Sequence, residues 1–239
     1  MQSPAFSDGR QQDVAAVRRA LDRVAAFGTS VKLPLMTAAE LFTLGALGHP
    51  VIDARALSWW NAQADHEALA KMAYGYLARR KLLDPETGRL ASSLGLILAG
   101  RSRPAFILIT RDNPAAGPGS LRVYGIAQEP GGVLAVLAEG AQARHLAWAG
   151  PGYHYLLTGV TTQSRALAEL AAGGRQRTFD VYRPASGSVL PSERILVTPT
   201  RHGLRADRQT RGQAALASLD CDLDGLTGLL ASVMTGASQ

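Results

Sequence analysis

The sequence predicts an α+β fold, in which a central, mainly antiparallel sheet is flanked by helices and preceded by an N-terminal winged-helix-like helical part. Three observations predict it. Apolar residues recur at helical spacing before Pro104, and beyond Pro104 they gather into short runs of strand character. The pieces between the later runs are turn-rich and short, whereas parallel neighbours need a crossover of about a dozen residues or more.

The first element is a helix over about 13–27. Val14, Val17, Leu21 and Val24 line one face, and Arg18, Arg19, Asp22 and Arg23 lie mostly around it. Residues 1–12 are polar and read as a disordered N-terminus. Thr37-Ala38-Ala39-Glu40 has the form of a capping box, so a helix begins there, buries Leu41, Leu44 and Leu47, and stops at Gly48 ahead of Pro50. A further helix runs from an Asp65 N-cap through Leu69, Met72, Tyr76 and Leu77 to Leu83. Of Trp59 and Trp60 just before it, one is expected in the core and the other at a boundary, because adjacent residues point in different directions.

Residues 81–111 then read as a helix end at Leu83, a polar turn Asp84-Pro85-Glu86-Thr87-Gly88, a short apolar helix from about Leu90 to Leu98, and a β run Ala105–Thr110. Further β runs are Leu121–Ala127, Val133–Glu139 and Ala143–Trp148. Residues from Pro151 to Ala172 are expected to be helical, Thr178–Arg183 and Arg194–Thr198 to be strands, and Leu223–Met234 to be a closing helix. The organisation expected is a helical part over 13–100 and the sheet with its flanking helices over 101–239, the two forming one domain.

A chain of 239 residues can bury a substantial core. No apolar stretch is long enough to cross a bilayer, and the first residues lack the cationic start and apolar run of a signal peptide, so a cytoplasmic protein is expected. The net charge is +6, but only three of the 25 basic residues are lysine, and abundant arginine with alanine fits GC-rich coding as well as nucleic-acid binding.

No catalytic motif stands out. The five histidines show no metal-ligand spacing, and there is no nucleophile elbow, phosphate loop or dinucleotide fingerprint. Cys221, between Asp220 and Asp222, is in a poor setting for a thiolate. Catalytic residues, cofactor and metal are therefore not expected. The cluster Arg194, Arg201, His202, Arg205, Arg208 and Arg211 reads as a solvated basic edge on a strand-loop segment. A winged-helix DNA-binding regulator is the alternative reading, with Ala68–Lys81 as recognition helix, the following turn as wing, and Lys71, Arg79, Arg80 and Lys81 as phosphate contacts. Acidic Asp65 and Glu67 at the reading end of that helix favour protein over DNA.

The arrangement resembles a known family, the EspG chaperones of type VII secretion. Three places carry the resemblance: Leu82-Leu83-Asp84-Pro85-Glu86-Thr87-Gly88-Arg89-Leu90 ahead of the first strand of the β part, the paired strands within Leu121–Trp148, and Arg194-Ile195-Leu196-Val197-Thr198-Pro199-Thr200 before the closing helix. The resemblance implies a cytosolic, non-enzymatic protein that binds a helical secretion substrate. It also implies a recognition surface made by the sheet, its hairpin loop and the C-terminal helical part. On this chain those are the loop Arg111–Ser120, with Asn113, Gly117 and Gly119, and the closing helix, with Leu226 and Leu230 as contacts at the edge of its apolar stripe.

Overall fold

The computed structural model describes residues 19, 21–24, 30–47, 53–112, 121–128, 132–141, 148–184, 190–213 and 216–236. Within them, nine strands form one sheet in the order β1-β5-β4-β3-β2-β6-β7-β8-β9. The strands are β1 (Val31–Thr37), β2 (Ile107–Asp112), β3 (Arg122–Gln128), β4 (Gly132–Ala141), β5 (Gly152–Thr158), β6 (Arg177–Tyr182), β7 (Glu193–Thr200), β8 (Gly203–Thr210) and β9 (Ala217–Cys221). Every ladder is antiparallel. β2 stands in the middle. The chain meanders outward from it through β3, β4 and β5, returns along one helix to the other flank of β2, and meanders outward again to β9.

The helices are α1 (Ala38–Thr43), α2 (Ala54–Asn61), α3 (His66–Arg79), α4 (Ser92–Ser102), α5 (Val160–Ala172) and α6 (Leu223–Thr235). Arg19 and Leu21–Val24 are also helical, and Leu21 and Val24 are buried while Arg19, Asp22 and Arg23 are exposed, as the spacing there predicts. The rest of the expected 13–27 helix lies outside the described residues.

Strand alternation divides the interior into two cores. Ile107 and Ile109 of β2 face the core shared with Leu41, Leu77, Leu94 and Ile97 of α1, α3 and α4. Leu108, with Phe106 just before the strand, faces the core shared with Leu167 of α5 and Leu226, Leu230 and Met234 of α6. The backbones of β2 and β3 can sit close over Phe106 because Gly125 has no Cβ. A Cβ there would lie 2.4 Å from the Phe106 ring.

Several elements differ from the sequence expectation, each for a physical reason. Residues 152–158 are a strand rather than the start of a helix, because they are sandwiched between β4 and β1, and helix begins only at Val160. Strands β1 and β9 and helix α2 were not anticipated. β1 contains Pro34 and lacks regular alternation, so its conformation is set by β5 across the sheet. Helix α1 has the expected capping box: the Thr37 side chain accepts from the Glu40 amide, and Glu40 Oε2 accepts from the Thr37 amide at 2.8 Å. It ends at Thr43 rather than near Leu47, since Gly45 takes a left-handed φ of 67° and Ala46 N–H closes on Leu41 C=O at 2.8 Å. The 143–147 part of the Ala143–Trp148 run is outside the described residues.

The winged-helix-like part is not found among the described residues. The Asp84–Gly88 turn forms as expected, with Asp84 N–H on Arg89 C=O and Thr87 Oγ1 donating to Asp84 Oδ2 at 2.7 Å, but it is closed by a single bridge, Leu83 to Leu90, and makes no two-stranded wing. The strand that precedes these helices, β1, belongs to the main sheet.

A buried ionic cluster fixes the helical layer to the sheet. Arg101, near the C-terminal end of α4, donates to Asp53 before α2, to Glu139 on β4, to Ala46 C=O at 3.0 Å and to Tyr124 Oη at 3.0 Å. Its side chain is 2 % exposed, and that of Glu139 is 1 % exposed. Glu139 Oε1 also accepts from Arg122 at 2.7 Å and Tyr124 at 3.2 Å, and Oε2 from Tyr155 at 2.7 Å. Burial alone would raise the Glu139 carboxyl, but the charges of Arg101 and Arg122 and the hydrogen bonds from Tyr155 and Arg122 outweigh it and hold it below the usual range. Burial, and then the neighbouring Glu139 charge, push the Tyr155 and Tyr124 phenols well up. One guanidinium thus joins α4, the α1–α2 connection, the start of α2 and the sheet.

Candidate protein-binding site

Helix α3 opens with Asp65, whose carboxylate accepts from the Ala68 amide at 2.8 Å, the N-cap expected from the sequence. Ala73 and Leu77 are its fully buried residues. Its C-terminus turns sharply. Lys81 takes a left-handed φ of 57°, and the amides of Lys81 and Leu82 close on Ala78 C=O at 2.9 Å and Leu77 C=O at 3.0 Å.

An aromatic group anchors this region. Phe42 stacks on Trp60 with ring centroids 3.8 Å apart, and His66 stacks on the same indole at 4.8 Å. Trp60 is 3 % exposed, whereas Trp59 is half-buried over Gly150, so the pair divides into a core and a boundary residue as expected. Tyr76 meets Trp148 edge to face at 5.7 Å.

The outward side of α3 forms a groove of about 500 Å³ lined by Lys71, Met72, Gly75, Tyr76, Arg79 and Trp148. Met72 is 47 % exposed. Gly75 lies in the groove, and a Cβ there would meet nothing within 4 Å. The rim is cationic: the Arg79 guanidinium lies 5.7 Å from the centre of the Tyr76 ring, and Lys71 pairs with Glu67 at 2.7 Å on an exposed helical turn. An apolar floor with basic rims suits a partner segment that offers aliphatic side chains flanked by carboxylates.

None of the residues expected to contact a partner is among the described residues that line this groove. Asn113, Gly117 and Gly119 lie outside the described residues, in the segment that connects the hairpin strands β2 and β3. Leu226 and Leu230 are both fully buried in the core under α5 and α6, so neither is presented to a partner. The stripe on α6 is consumed by packing, with Leu229, Val233 and Met234 also buried. The sequence reading ran this helix through Leu69, Met72, Tyr76 and Leu77 without separating the outward Met72 from the buried Leu77. The usable signal was Lys71, Gly75 and Arg79 at i, i+4 and i+8, a polar and small stripe beside Met72 that a buried face would not carry.

Of the four proposed phosphate contacts, Arg80 is committed to the fold, donating to Glu40 at 2.7 Å and Leu35 C=O at 2.6 Å. Three of the six residues of the later basic cluster are likewise paired. Arg194 binds buried Asp180 at 2.6 Å, Arg208 binds Glu193 at 2.6 Å, and Arg205 binds Asp207 at 3.0 Å. Arg194 and Arg208 pair across neighbouring strands and Arg205 pairs with Asp207 on its own strand, β8, so these three do not form a free basic edge. Burial, followed by the Asp222 and Asp220 charges, pushes the Cys221 thiol up, away from nucleophile character. Among the described residues no group of three or more His, Cys, Asp or Glu is placed to hold a metal ion, and no helix is long and apolar enough to cross a membrane.

In comparisons with known proteins, no family model matches the chain and no curated protein matches it.

Proposed function

We propose that this chain is a non-enzymatic, cytosolic protein-binding module, an EspG-like chaperone of a type VII secretion substrate. The observation that carries the reading is the solvent-facing groove on α3, where Met72, Tyr76 and Trp148 surround an open Gly75. The antiparallel sheet flanked by helices agrees with the fold that the sequence resemblance implies. In this reading the apolar tip of a helical substrate lies across Gly75, and Lys71 and Arg79 meet its carboxylates. Each aliphatic side chain buried contributes about 1.5–3 kcal/mol, against an association cost of at least about 4 kcal/mol. A few such contacts give a complex that forms and releases, which is what a carrier of an aggregation-prone end requires.

The test is co-expression with a helical-hairpin type VII substrate, followed by co-purification and titration. Gly75→Gln fills the groove from a position with open space, so the fold is expected to stay intact while affinity falls at least about tenfold, the loss of roughly 1.4 kcal/mol. Undiminished binding by the folded variant, or no complex with any such substrate, overturns the reading. Sequence-specific DNA binding that survives physiological salt would establish the regulator instead.

A further inference from the structure

Helix α3 carries a second patterned face. Ala73 and Leu77 are its fully buried residues, and on the side turned away from them Ala68, Met72, Gly75 and Arg79 follow one another at steps of four, three and four, the spacing of a heptad seam. Ala68, Met72 and Arg79 are exposed and Gly75 is half-buried. Met72, Gly75, Tyr76 and Arg79, all of them lining the groove, stand at i, i+3, i+4 and i+7, the four corners of the hole that receives one side chain of a facing helix. Ala68, Lys71, Met72 and Gly75 form a second such hole one turn earlier. Glycine in a helix interior is disfavoured relative to alanine, and a Cβ at position 75 would meet nothing within 4 Å, so packing among the described residues does not call for it. What its absent side chain leaves open is the shared floor of both holes, and Trp148, edge to face on Tyr76, walls the later one.

We propose that α3 docks one helix of a partner side by side, whose apolar residues at heptad spacing fill these two holes and whose carboxylate meets Arg79. The inference rests on the groove reading above and names the form of its occupant. Two features select a helix with acidic flank. First, the backbone of α3 is bonded within itself, so an extended segment pressed into the groove would bury N–H and C=O groups without partners, whereas a helix arrives with its own already satisfied. Second, Lys71 already pairs with Glu67 at 2.7 Å, while Arg79 lies over the Tyr76 ring and has no carboxylate partner among the described residues. The complementary charge on the occupant is therefore a carboxylate beside the later hole. A seam of two holes is short, as suits a transient contact rather than a permanent one.

The probe is a fluorescein-labelled peptide of about 20 residues, long enough to hold a helix, with leucine at heptad a and d positions, glutamate on the flank and alanine elsewhere. A second peptide has its two central residues replaced by proline. Fluorescence polarisation at nanomolar peptide and physiological salt, against the full chain, is expected to show the helical peptide binding at least about tenfold more tightly than its proline version. Ala68→Gln changes a residue inside the seam but outside the groove lining, and is expected to weaken the helical peptide about tenfold. Tyr74→Gln, at an exposed position off the seam, is expected to leave it unchanged. Arg79→Glu is expected to lose the glutamate peptide and to gain a lysine-flanked counterpart. Equal binding by the two peptides, equal effects of Ala68→Gln and Tyr74→Gln, a lysine-flanked peptide that Arg79→Glu does not gain, or no binding of the helical peptide would each overturn the proposal. If Gly75→Gln still lowers capture of the type VII substrate in that event, the groove reading survives without a docked helix; if no substrate is captured either, both fall. Melting curves show which variants fold, and should Ala68→Gln fail to, the peptide pair decides alone.

Discussion

Replacing Glu139 by glutamine probes the buried cluster that joins the helical layer to the sheet. The carboxylate accepts from four donors, Arg101, Arg122, Tyr124 and Tyr155, two at each oxygen. Glutamine keeps the shape but puts an amide nitrogen, itself a donor, against two of those donors and removes the charge that balances two buried guanidiniums. Breaking a buried pair by removing one partner costs about 3–5 kcal/mol. The lower end applies, because Arg101 retains Asp53 and Arg122 lies over the Tyr153 ring. A loss of about 3 kcal/mol lowers the melting temperature of a domain this size by roughly 6–12 °C. Urea unfolding of Glu139→Gln, Arg101→Met and the double variant gives the coupling, expected at about 1–3 kcal/mol. The pH dependence fixes the sign. The folded-state value of Glu139 is depressed, so its contribution is complete above the unfolded-state glutamate value and is lost as pH falls through the folded value. The wild type should therefore lose more stability than Glu139→Gln on acidification below the ordinary glutamate range. A destabilisation under about 1 kcal/mol with parallel acid limbs would refute the argument, since it would mean the cluster is no stronger than an exposed ion pair.

Two further outcomes are expected. Lys81→Gly should stabilise the protein by on the order of 0.5–1 kcal/mol in thermal or urea unfolding, because a left-handed backbone at the end of α3 suits glycine and strains lysine; a loss of stability would show that the lysine side chain matters more than its backbone. Shortening Ala115–Gly119, in the connection between β2 and β3, to a two-residue turn should leave the melting temperature nearly unchanged and weaken co-purification with a substrate; full binding by the folded variant would remove this loop from the recognition surface.

What the sequence made legible was mostly local. Thr37 and Glu40 announce α1, Asp65 announces α3, and turn-rich segments between apolar runs announce antiparallel neighbours, because each signal is made and answered within a few residues. β1 was unreadable for the opposite reason, since it is a strand through a partner more than a hundred positions away, and β5 is held on one side by that same strand and on the other by β4. The candidate site was read least well. An apolar stripe on α6 and apolar residues on α3 look alike in one dimension, and only packing shows that Leu226 and Leu230 turn inward while Met72 turns out. Arg101, the residue with the most consequential contacts, carries no local mark, because its partners at 46, 53, 124 and 139 are gathered by the tertiary fold.

The meander wiring also sets when the groove can exist during synthesis. All ladders but two join strands adjacent in sequence, and the exceptions, β1 with β5 and β2 with β6, carry the long loop closures. The α3 groove depends on the first of these. Trp148, its far wall, directly precedes β5, and α1 is stitched to the same stretch by Ala38 N–H to Pro151 C=O and Ala39 N–H to Ala149 C=O. A nascent chain that has released α3 but not yet β5 has one wall and no hollow. The hollow on α3 is therefore completed by a single long-range closure, once β5 has joined β1.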